Sequence, residues 1–195
     1  MLPHMSSSTT LQPQAQPEPA LSPVLYWEDF PAGQRREFGA TLVTREAVVA
    51  FASQFDPQPF HLDEAAAESS LFGRLAASGW HTCAMAMRMM CDEYLLDAAS
   101  LGSPGLDKLR WLKPVHPGDT LRMHMEVLEA RPMNSKPMVG LVRSQWEVRN
   151  QHDEAVLTME GWGMFRRRPA AVGLAADESA ADGSVAAVSA ADTPA

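Results

Sequence analysis

Two side chains able to trade protons with one water stand five residues apart in the segment FDPQPFHLD, residues 55–63: the Asp56 carboxylate and the His61 imidazole. Imidazole changes charge near neutral pH, and a carboxylate beside it can hold the same water, so the pair suits general acid–base addition or removal of water. Pro57 disfavours α geometry in the residue before it, which puts Asp56 at a forced helix exit. Pro57 and Pro59 together make the intervening segment neither a good helix nor a good strand. Taken singly, either residue reads more plainly as a polar turn residue; the pair carries the chemistry.

The elements that must position this pair can be read on either side of it. Thr44 is an N-cap for REAVVAFASQF, where Val48, Val49, Phe51, Ala52 and Phe55 form an apolar stripe. Asp63 caps a second short helix, EAAAESSLF, with Glu64 in its first turn. Gly79 then opens a long apolar run, WHTCAMAMRMMCDEYLLDAA, whose middle has Arg88 as its one charge; this predicts a central helix buried on most sides. An edge strand is predicted at Arg36–Val43. Further strands follow at LDKLRWLKPV, at LRMHMEVLEARPM with alternating Leu121, Met123, Met125 and Val127, at MVGLVRSQWEVRN and at EAVLTMEGWGMFRRR. The expected class is α+β, a curved antiparallel sheet wrapped around a long helix, with one such unit per chain.

The chain of 195 residues is 46% hydrophobic and 21% charged, values of a globular protein. Residues 1–24 and 170–195 are rich in Ser, Gln, Pro, Ala and Asp, and are expected to be disordered tails around a folded domain at 25–169. Five carboxylates of the net charge of −8 lie in those tails, so the domain has no electrostatic footprint for nucleic acid. Neither a signal peptide nor a bilayer-spanning run is evident, which makes the cytoplasm the expected compartment. Cys83 and Cys91 are about 12 Å apart along a helix and read as buried thiols. His81 and Cys83 lack a second ligand pair of recognised spacing, and no metal is expected. The methionines of AMAMRMM read as core packing, with a pliable acyl tunnel as the rarer alternative.

FDPQPFHLDEAAAESSLFGRLAASGWHT, followed by RWLKPVHPGDTLRMHMEVLE, resembles the signature of the MaoC-like, or (R)-specific enoyl-CoA hydratase, branch of the hot-dog fold, over about residues 25–168. The resemblance implies a hydro-lyase that adds water reversibly to a trans-2-enoyl-CoA of fatty acid metabolism, giving an (R)-3-hydroxyacyl-CoA. It makes Asp56 and His61 the dyad that activates water, and Gly79 the backbone donor to the thioester oxygen at a helix N-terminus. Ser78, Trp80 and His81 are the expected substrate-binding neighbours. No cofactor is implied, because coenzyme A is part of the substrate. The family usually has His-Gly where this chain has Ser78-Gly79, and some relatives have a helix serine where Ala84 to Met90 offer no hydroxyl; an orienting group would then come from Thr82 or His81. Arg110, Lys113, Arg122 and the run Arg166 to Arg168 are candidate contacts for coenzyme A phosphates, with plain solvation the simpler reading. A lone unit exposes a sheet edge and an apolar face, so a homodimer is expected. A hot-dog thioesterase and a non-catalytic acyl-thioester-binding subunit remain alternatives, since fold does not fix reaction.

Overall fold

A computed structural model describes residues 23–169. The two predicted tails lie outside these residues, apart from Pro23 and Val24; the Val24 and Leu25 N–H groups both donate to the Asp97 carbonyl.

Five antiparallel strands form one sheet: β1 (Arg35–Leu42), β2 (Ser100–Trp111), β3 (Thr120–Met133), β4 (Lys136–Arg149) and β5 (Ala155–Arg166), in the order β1-β3-β4-β5-β2. Period-two patterning decides which face is covered: Leu121, Met123, Met125 and Val127 of β3 are buried, and the residues between them are partly exposed. Across the ladders Met123 meets Val148, and Trp146 meets Met159, so one face of the sheet is largely apolar.

Four helices connect β1 to β2: α1 (Arg45–Phe55), α2 (Pro59–Leu62), α3 (Glu64–Glu68) and α4 (Gly79–Met90). The apolar sheet face closes on α4 through Met85, Ala86, Met89 and Met90, joined by Phe30, Tyr94 and Phe165. Strand β1 passes so near α4 that a Cβ at Gly39, φ +83°, would overlap Met89 Sδ; both the space and the backbone angle require glycine there.

Local chemistry sets the helix ends. Thr44 Oγ1 accepts from the Ala47 N–H at 3.1 Å and Asp63 Oδ1 from the Ala66 N–H at 2.9 Å, the two caps read from the sequence. The helix after Asp63 is shorter than expected: Ser69 and Ser70 hydroxyls bond back to the Ala65 and Ala67 carbonyls, and the chain turns away. The segment between Asp56 and Asp63 is a helical turn after all, with Pro59 at its first position, where a missing N–H is harmless. After Met90 the central helix widens into a π turn over Cys91–Leu95. It is also less covered than expected, because Trp80, Ala84, Met87 and Arg88 are exposed on one flank. Strand β2 starts at Ser100, six residues before the apolar run that announces it; Gly102 and Gly105, both at positive φ, sit at register shifts of this edge strand. No helix among the described residues is long and apolar enough to cross a membrane.

Candidate active site

Asp56 terminates α1, its N–H donating to the Ala52 carbonyl. With the helix ended there, the carboxylate is free of the helix axis and turns toward the N-terminus of α4. Asp56 Oδ2 accepts from the Ser78 hydroxyl at 2.6 Å, and Oδ1 accepts from Gln58 Nε2 at 2.7 Å. The same Oδ2 stands 3.5 Å from His61 Nε2. The Ser78 hydrogen bond holds the Asp56 carboxyl below the usual carboxylate range; burial opposes it, and Gln58 and His61 lower it further.

His61 is carried by the single turn α2 and is 5% exposed. Its Nδ1 donates to the Ala76 carbonyl at 2.7 Å, because a carbonyl can only accept. That bond selects the tautomer with a bare Nε2, and this is the nitrogen facing Asp56. Phe60 and Phe72 pack around the ring, with centroids 4.6 and 5.8 Å away.

Ser78 is the N-cap of α4: its oxygen accepts from the Trp80 N–H while its proton goes to Asp56. One side chain thus ties the helix start to the carboxylate. Gly79 follows at the first helical position, where the N–H has no acceptor in its own helix and takes none elsewhere among the described residues. Its carbonyl accepts from Trp111 Nε1 at 2.9 Å, and a Cβ on Gly79 would lie 2.5 Å from Trp111 Cε2. Absence of a side chain at Gly79 is therefore needed for the indole as well as for close approach of a ligand. Trp80 is exposed and meets Trp111 edge to face at 5.4 Å.

These groups line a cavity of about 480 Å³ that includes Asp56, His61, Ser78, Gly79, Trp80 and Trp111. The structure brings together the predicted Asp56, His61, Gly79, Ser78 and Trp80. It places His81 elsewhere: that ring stacks on Phe51 at 4.7 Å, outside the cavity lining, with Nδ1 buried and unpartnered. Burial lowers the His81 pKa below its ordinary value. The Thr82 hydroxyl is occupied by the Ser78 carbonyl. Asp63 serves its cap. The arginine run ties down the leading segment, Arg168 to Asp29 at 2.7 Å and Arg167 to Glu28 at 3.7 Å, and Arg167 also donates to the Pro137 carbonyl of β4. Arg122 pairs with Glu37, and Lys113, paired with Glu154, also lines the cavity. Among the described residues no three His, Cys, Asp or Glu side chains gather as a metal set.

Sequence reasoning missed Gln58 and Trp111. Gln58 had a local signal, two residues from Asp56 within the proline-bracketed segment. Trp111 had none, because it enters from β2, 32 residues beyond Gly79.

Comparison with known proteins agrees with this architecture. The family model described as "MaoC like domain" matches residues 29–148. A MaoC-like dehydratase from Rhodospirillum rubrum is 42% identical, with a TM-score of 0.69 over 74% of this chain and 99% of that one. The (R)-hydratase PhaJ1 of Pseudomonas aeruginosa is 25% identical, with a TM-score of 0.61 over 74% of this chain and 87% of that one. Mesaconyl-CoA hydratase of Cereibacter sphaeroides is 45% identical across 62 residues, which are 32% of this chain and only 18% of that protein. With its five-stranded antiparallel sheet closed on a central helix, the chain has the hot-dog fold and belongs to the MaoC-like dehydratase family.

Proposed function

We propose that the chain is a hydro-lyase that hydrates a trans-2-enoyl thioester, most simply an enoyl-CoA, to the (R)-3-hydroxyacyl thioester and runs the reverse dehydration. The observation that carries this reading is the bare His61 Nε2 held 3.5 Å from an ionised Asp56, beside a helix-terminal N–H with no acceptor among the described residues. The configuration of the product rests on likeness to an (R)-hydratase and the choice of coenzyme A on likeness to mesaconyl-CoA hydratase, rather than on the site.

A division of labour follows from the hydrogen bonds. Asp56, held below the ordinary carboxylate range by Ser78, is a weak base and a good acceptor; it orients water and stabilises positive charge. His61 Nε2 takes the proton of water as the water oxygen bonds to Cβ. Electrons of the C=C bond move toward the thioester carbonyl, whose oxygen gains negative charge and accepts from the Gly79 N–H at the positive end of α4. The imidazolium, paired with Asp56, then returns its proton to Cα on the same side. Water supplies both added groups, the hydroxyl on Cβ and the hydrogen on Cα, and the dyad ends as it began.

Purified protein mixed with trans-2-enoyl-CoA should bleach the enoyl-thioester absorbance without releasing free thiol. Thiol release would instead favour a thioesterase. His61→Ala should lower kcat by about 10²–10⁴, the usual range for loss of a general base; unchanged turnover in that variant and in Asp56→Asn would remove the dyad. We further propose a homodimer joined along β2. This edge strand is exposed along nearly its whole length, and Leu106, Trp111 and Leu112 lie beside the uncovered Trp80 and Met87 of α4.

A further inference from the structure

Opposite α4, the apolar face of β4 and β5 carries Ser144 and Gly163 beside Trp146, Met159 and Phe165. Between this face and α4 lies a cavity of about 440 Å³, bounded by Cys83, Met87 and Met90 on α4 and by Leu106 of β2. Cys83 and Met87 lie one and two turns past Gly79 on the same helix face, so the cavity begins about 6 Å beyond the proposed thioester position and reaches about 16 Å along the helix at Met90. The Trp111 indole, which lines the first cavity, packs on Gly79 and lies beside the Cys83 thiol, which lines the second, so the two cavities approach each other there.

This lining is apolar except for a few donors. Trp146 is 9% exposed, and its buried Nε1 has no partner at full hydrogen-bond distance among the described residues; it lies close enough to the Tyr94 hydroxyl to lower the pKa of that phenol. Tyr94 and Ser144, 3% and 2% exposed, make no side-chain hydrogen bond to another described residue. Burial pushes the Tyr94 phenol up to about 12, so it remains a donor at any working pH. All three side chains line the cavity. A plain hydrocarbon there leaves the donors unsatisfied, which is costly in a dry site. An anion fits no better, because no cation lines the cavity; Arg36 stacks over the Phe30 and Tyr94 rings, outside the lining.

We propose that this second cavity receives the acyl tail of the thioester and selects tails that carry a neutral oxygen acceptor, a ketone, ether or hydroxyl, which accepts from Tyr94, Trp146 and Ser144. The inference rests on the enoyl-thioester reading for the head of the substrate; the tail preference comes from the cavity itself. Two measurements separate them. The first is kcat/KM on enoyl-CoAs of equal length, plain or with one methylene replaced by an ether oxygen at successive positions from C5 outward, and with a terminal carboxylate as a third arm. The second is calorimetric binding of the corresponding saturated acyl-CoAs, which needs no turnover.

At one ether position the wild type should exceed the plain chain by at least about tenfold, the size of one well-made hydrogen bond, and the carboxylate chain should be rejected. In Tyr94→Phe and in Trp146→Phe, each checked for native circular dichroism, that ratio should fall to within about twofold. A wild type with no favoured position, or a ratio unchanged in both variants, overturns the inference. If no enoyl-CoA is turned over but the saturated ether analogue is still preferred, and the preference is lost in the Phe variants, the hydratase reading fails and the tail selection stands.

Discussion

At the scale of single residues, Ser78 matters more than its place before the helix suggests. Its hydroxyl gives its proton to Asp56 and its lone pair to the Trp80 N–H, so Ser78→Ala removes a charge-assisted bond and a cap together. The Asp56 pKa should then rise toward the ordinary 3.8, and kcat should fall about ten- to hundredfold with a smaller change in KM. Because Asp56 is depressed in the folded state, it contributes stability above the ordinary carboxylate value, and this is lost as pH falls through the folded value. Acid unfolding of Ser78→Ala should accordingly show a weaker contribution from Asp56, measurable by denaturant melts between about pH 5 and 2. His81 works with the opposite charge. Burial disfavours its protonated form, so below about pH 6.5 the unfolded chain binds the extra proton and stability falls as pH drops. Thermal melts from pH 7.5 to 5.5 should show this slope, reduced in His81→Phe, which keeps the stack on Phe51.

At the scale of elements, the site is an alignment of helix ends. Helix α1 stops at Asp56, the turn α2 carries His61, and α4 begins at Ser78 and Gly79. The prolines explain the first two, since Pro57 ends a helix and Pro59 starts one. That second effect was misjudged from sequence: two prolines read as a barrier to helix, although the first position of a turn is where proline fits best. Ser78, expected to touch substrate, lines the cavity and also donates to Asp56, a pairing across 22 residues that depends on how α1 approaches α4. Gly79→Ala tests the junction. Its Cβ would press on the Trp111 indole, so the variant should lose about 1–3 kcal/mol of stability. It should also lose turnover beyond that explained by unfolding, read from kcat per folded protein.

At the scale of the whole molecule, the exposed flank of α4 and the edge of β2 belong together. Leu106, Trp111, Trp80 and Met87 are each about half exposed, more apolar area than a solitary edge strand ordinarily presents to water. Sedimentation at micromolar concentration should give twice the chain mass, and Leu106→Arg should shift the protein toward monomer with its circular dichroism intact. A monomeric wild type would remove the proposed sheet-to-sheet dimer. The order of elements, the alternation of β3, the caps Thr44 and Asp63, and the Asp56–His61 pair were all legible in the chain, because each is set by interactions within a few residues. The Ser78 link to Asp56, the stacking of His81 away from the site, the indole over Gly79 and the donor-bearing cavity behind α4 were decided by tertiary structure. Each joins residues from 22 to more than 60 positions apart or, for His81, turns on which side of a helix meets a neighbour, and no local pattern of residue types encodes such a meeting.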